Sequence, residues 1–113
     1  LSAFSANPAA AVYGASKVFL NHYSEALQLE LADAGIKVQS LCPGYTRSEF
    51  HDRSTMAGFD RAMIPDKMWM EAQELVEISL AGLDSGPVVL VAGEINQELA
   101  RKGLQAQLDR LQP

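Results

Sequence analysis

A single cysteine stands in the 113 residues, so no internal disulfide can form and no multi-cysteine metal site can be assembled. Histidine is nearly as scarce. His22 and His51 fall in different segments without a matching carboxylate pattern, so no metal site is expected. Nine Lys and Arg stand dispersed against fourteen Asp and Glu, for a net charge of −5, which argues against a nucleic-acid-binding surface. No apolar run approaches the ~20 residues needed to span a bilayer, and no charged-then-apolar leader opens the chain. Missing too is a glycine-rich, phosphate-cradling turn between a first strand and helix. What is present, 48% apolar residues with mixed charge, reads as soluble globular material of one domain or part of one, expected in the reducing cytoplasm.

Hydrophobic periodicity divides the chain. Leu1 to Ala11 is a polar and small-residue lead-in with a turn at Asn7-Pro8. Val12 to Ala34 predicts a helix: Ser16, Leu20, Tyr23, Leu27 and Leu31 form one stripe with Ala15, Phe19 and Ala26 beside it, and Gly35 ends it. Asn21, Ser24, Glu25 and Gln28 are expected on the solvated face. The apolar arc is about twice the width that one packing surface explains. Ile36 to Cys42 predicts a strand that Pro43-Gly44 breaks, with Tyr45 to Ser48 in the loop beyond it. Glu49 to Met70 reads as short helices or a lid, its Met and aromatic residues suiting either a hydrophobic substrate pocket or a core edge. A helix over Glu71 to Leu83, a turn at Asp84 to Pro87 and a buried strand at Val88 to Val91 follow. That strand is expected beside Ile36 to Cys42 in a right-handed parallel crossover. A terminal amphipathic helix from Glu94, marked by Leu99, Leu104, Leu108 and Leu111, is expected to be interrupted at Gly103.

Tyr13 and Lys17 stand four residues apart at the head of the first helix, on one face. An ammonium near a phenol favours phenolate and makes the Tyr a usable acid/base near neutrality. Chance alone produces such a pair in many helices, so the context decides. Tyr13-Gly14-Ala15-Ser16-Lys17, an amphipathic helix, a strand and then Cys42-Pro43-Gly44-Tyr45-Thr46-Arg47 come in one order. This resembles the short-chain dehydrogenase/reductase family over essentially the whole chain.

The resemblance implies an α/β fold: a partial Rossmann-like, doubly wound parallel sheet, here with two strands and three main helices. Residues 1–113 would be the carboxyl-terminal part of a single domain whose nucleotide-binding half is absent from this sequence. It implies hydride transfer between NAD or NADP and a small carbonyl or alcohol substrate, hydrophobic if the Met-rich segment lines the pocket. Tyr13 would exchange the hydroxyl proton, and Lys17 would hold the nicotinamide ribose. Pro43, Gly44, Tyr45, Thr46 and Ser48 would surround the nicotinamide, with Gly44 letting backbone approach the ring. The family's catalytic Ser would fall just upstream of Leu1, since Ser2 and Ser5 lie too close to Tyr13. The residues that would distinguish NAD from NADP belong to the absent half, and these residues alone are expected to be inactive. In the complete protein the wide arc, with Leu20, Tyr23, Leu27 and Leu31 as its surplus stripe, is expected at a homodimer or homotetramer contact or under a helix of the absent half. The alternative is a non-catalytic assembly protein that retains part of the fold.

Overall fold

A computed structural model describes residues 1–47 and 63–111. Its helices are α1 (Ala11–Leu31), α2 (Ala72–Gly82) and α3 (Glu94–Leu111). Four three-residue strands accompany them in two separate parallel pairs. β1 (Ser40–Cys42) pairs with β4 (Val89–Val91), Leu41 lying opposite Leu90. β2 (Tyr45–Arg47) pairs with β3 (Trp69–Glu71), Thr46 lying opposite Met70. The architecture is α/β with parallel strands, a partial Rossmann-like fold of the predicted kind. No helix among the described residues is long and apolar enough to cross a membrane.

The expected turn at Asn7-Pro8 closes through the Ala10 N–H on the Asn7 carbonyl at 3.3 Å. Beyond α1 a single 3₁₀ turn, Ala32–Ala34, ends at Gly35, whose φ of 71° is left-handed as a helix stop requires. The turn after α2 and the parallel pairing of β1 with β4 also follow the sequence reading.

Four expectations need correction. The strand foreseen over Ile36 to Cys42 begins only at Ser40, because Gln28 of α1 takes the preceding backbone. Its Nε2 donates to the Ile36 carbonyl at 2.9 Å and its Oε1 accepts the Val38 N–H at 2.7 Å. For the same reason the polar face of α1 is not the solvated one. Asn21, Ser24 and Gln28 are half-buried, only Glu25 of that set is exposed, and Phe19, Leu20 and Tyr23 face outward. Of the proposed surplus stripe, Leu27 and Leu31 are half-buried and Leu20 and Tyr23 exposed.

Tyr45 to Arg47 is not loop but strand, since β3 offers it a partner. The short helices or lid expected over Glu49 to Met70 would fall largely outside the described residues. Its described end is a 3₁₀ turn, Asp66–Met68, running directly into β3. Finally, α3 passes through Gly103 unbroken: the glycine is buried against the Phe4 carbonyl, which a Cβ there would strike. Gln107 Nε2 donates to that same carbonyl at 3.0 Å.

The core is small. Phe4, Cys42, Ala92 and Ala100 are the buried apolar residues among those described, with Leu1, Ala3, Val89 and Val91 packed around the cluster of Phe4, Cys42 and Ala100. The lead-in, β1, β4 and α3 thus meet at one place.

Candidate active site

Tyr13 sits in the first turn of α1 and Lys17 one turn on, its Nζ 5.3 Å from the centroid of the Tyr13 ring. The phenol is 49% exposed, open to a ligand, while Lys17 is half-buried. Ser16 turns its hydroxyl back onto the Tyr13 carbonyl at 2.6 Å, so it is spent on the helix backbone.

The direction of α1 relates this pair to the Pro43-Gly44 turn. Gln28 bonds the backbone at Ile36 and Val38, while Asn21 Oδ1 accepts the Ser40 hydroxyl at 2.6 Å and faces the Cys42 thiol at 3.5 Å. The helix therefore runs antiparallel to residues 36–42. From Gln28 back to Asn21 it covers about 10 Å, against about 13 Å of extended chain from Val38 to Cys42. Lys17 and Tyr13 lie one and two further turns back on the Asn21 face, and so extend toward the carboxyl end of β1, where the chain turns at Pro43 and Gly44.

Pro43, Gly44, Tyr45 and Thr46 are all half-buried at that end. The Thr46 hydroxyl donates to the Gly44 carbonyl at 3.4 Å. Ser48, the remaining predicted contact, lies outside the described residues. Tyr45 packs on Trp69 with ring centroids 5.4 Å apart, and the Arg47 guanidinium lies 5.6 Å above Trp69 while its Nε meets Glu71 at 3.0 Å. Cys42, ending β1 beside the turn, has its thiol pKa raised by burial. Ser5 has its hydroxyl at α3 beside Gly103.

Two features escaped the sequence reading. The Tyr45–Trp69 and Arg47–Glu71 pairs join residues 24 apart, and no local pattern announces them. Asn96, buried in the first turn of α3, backs the Pro43-Gly44 turn. Its only sequence signal was a polar residue placed early in an amphipathic helix.

The family model for short chain dehydrogenases matches residues 1–57, half of the chain and the part that carries Tyr13, Lys17 and the Pro43 to Ser48 segment. Among curated proteins, the chain is 54% identical over 41 residues to rat (Rattus norvegicus) "Inactive hydroxysteroid dehydrogenase-like protein 1", covering 36% of this chain and 12% of that protein. It is 31% identical over 100 residues to a "Putative ketoacyl reductase" of Streptomyces coelicolor, covering 77% and 38%. To "17-beta-hydroxysteroid dehydrogenase type 3" of Danio rerio it is 34% identical over 79 residues, covering 70% and 23%. The chain therefore spans between 12% and 38% of the length of these relatives. No solved structure matches it. With the Tyr13 to Lys17 motif, parallel α/β strands and a family match across half its length, the chain belongs to the short chain dehydrogenase family.

Proposed function

We propose that this chain is the carboxyl-terminal part of a cytoplasmic NAD(P)-dependent oxidoreductase that interconverts a carbonyl and an alcohol. The observation that carries the reading is the shared face of Tyr13, Lys17 and Asn21, anchored so that the first two extend toward the Pro43-Gly44 turn. A nicotinamide bound there supplies the hydride. The residues present fit its nicotinamide end: the half-buried Lys17 ammonium is a donor for ribose hydroxyls, and Thr46 offers a hydroxyl for the carboxamide. Tyr13 Oη gives a proton to the carbonyl oxygen in reduction and takes one from the alcohol in oxidation. Pro43, Gly44 and Tyr45, half-buried at the same end, would complete the wall around the ring.

The substrate is an apolar carbonyl or alcohol. The half-buried Tyr45–Trp69 pair beside the turn supports this, as do relatives named for hydroxysteroid and ketoacyl substrates. Outward-facing Phe19, Leu20 and Tyr23 support assembly as a homodimer or homotetramer.

A second reading, a non-catalytic assembly role, is favoured by the similarity to a relative named inactive. Kinetics and cofactor titration on the full-length protein with NADH, NADPH, steroid ketones and ketoacyl compounds separate the two. In the enzyme, Tyr13→Phe should lower turnover by about a thousandfold while cofactor affinity stays within about twofold, because only the hydroxyl is lost. Full-length protein that binds neither cofactor would establish the assembly role instead.

A further inference from the structure

Asn96 is the polar side chain that is buried among the described residues, 7% exposed. Burying an amide has a desolvation cost that an alanine or leucine would avoid, so its partners are informative. Its Nδ2 donates to the Ala92 carbonyl at 2.8 Å. Ala92, itself fully buried, donates its N–H to the Cys42 carbonyl at 3.2 Å. The same Asn96 amide lies against Gly44, where a Cβ would stand 2.7 Å from Asn96 Cγ and closer still to both amide atoms. The ends of β1 and β4 and the first turn of α3 thus form a closed ring of contacts that returns to the Pro43-Gly44 turn.

That ring also changes the reason for glycine at position 44. A side chain on Gly44 would collide with Asn96, so it is the helix behind the turn that excludes one. The first turn of α3 is held in turn: the Gln97 N–H donates to the Gly93 carbonyl at 2.9 Å and Gln97 Nε2 to the Val91 carbonyl at 3.1 Å. Farther along, Gly103 and Gln107 fasten the helix to the Phe4 carbonyl of the lead-in. Asn96 therefore has little freedom to retreat from Gly44.

We infer that Asn96 is a positioning residue for the nicotinamide end of the cofactor site, its amide setting where the Pro43-Gly44 turn lies against the bound ring. The inference rests on the functional reading above. A displacement of ~1 Å at such a contact is enough to cost orders of magnitude in a bound geometry.

Two measurements on the full-length protein test it. Without cofactor, Gly44→Ala should lower the thermal midpoint in the native background and be tolerated once Asn96→Ala has made room. Additive effects of the two substitutions would overturn the contact, whatever the protein binds. With cofactor, Asn96→Ala should raise the KM for NADH or NADPH by about tenfold and leave the pH profile of turnover unmoved, since Tyr13 and Lys17 are untouched. Unchanged cofactor KM, or a displaced pH profile, would overturn the positioning role. Should Asn96→Ala fail to fold, Asn96→Ser serves both arms with a smaller gap. Native protein that binds neither cofactor would sink the functional reading, while the Gly44–Asn96 cycle would still decide the contact.

Discussion

The two strand pairs are alike in length and parallel sense and differ in what holds them. β1 and β4 are uncharged, place Cys42 in the cluster with Phe4 and Ala100, and have their flanking backbone bonded by side-chain amides from the helices: Gln28 before β1, and Asn96 and Gln97 at the end of β4. β2 and β3 are held by Tyr45 against Trp69 and by Arg47 against Glu71, with the Arg47 and Glu71 side chains 41% and 69% exposed. A three-residue parallel pair is not stable alone. One pair relies on exclusion of water and helix amides, the other on aromatic contact and charges at the surface. The first should therefore respond to lost volume and lost amides, the second to salt.

The sharpest break is expected at Phe4, 8% exposed in the core beneath β1 and β4. Phe4→Ala should cost the full-length protein about 3 kcal/mol in denaturant unfolding, the loss of a buried aromatic and the cavity left behind. Gln28→Ala comes next. It strips the Ile36 carbonyl and the Val38 N–H of their partner, and should cost about 1–2 kcal/mol by the same measurement. Hydrogen exchange at Val38 should accelerate, and an unchanged rate would show that the strand end does not depend on α1.

Against these, Arg47→Ala should cost less than about 1 kcal/mol, because its ion pair is exposed and screened. The difference between native and variant should shrink further at 1 M salt, where the screening length is about 3 Å. A salt-independent loss would instead assign the effect to stacking on Trp69. The smallest effect belongs to Cys42. Burial raises its thiol above the ordinary value of 9.0, so the folded chain keeps its proton to higher pH than the unfolded chain does. The contribution to stability is complete below about pH 9 and is lost as pH rises toward the folded value. Cys42→Ala should flatten that alkaline decline in a series of thermal melts, and an identical slope would remove the thiol as its cause.

Helices, turns and the shared helix face of Tyr13 and Lys17 were legible because their signals are local. The stripe from Ser16 to Leu31, the stop at Gly35, the turn after α2 and the Tyr13 to Lys17 spacing each lie within a few residues. The β1–β4 pairing was legible too, from a short apolar run at Val88 to Val91, although Val89, Leu90 and Val91 are half-buried rather than the buried strand expected there. Gly103 misled: glycine weakens an isolated helix, and only the Phe4 carbonyl beside it explains why α3 carries one there.

By itself, then, the sequence determined the helices, their ends and the placing of Tyr13 and Lys17 on one helix face, which follow from periodicity and backbone preference along a few turns of chain, while the α/β class came with the family resemblance. Tertiary structure alone decided which face of α1 turns inward, that Tyr45 to Arg47 pairs as a strand, and that Asn96 stands behind Gly44. The reason lies in hydrogen bonding. Asn21 and Gln28 look like surface residues until the unpaired backbone and hydroxyl groups of residues 36–40 are brought beside them. Those partners lie 8 to 19 positions away along the chain, beyond the reach of any helical repeat.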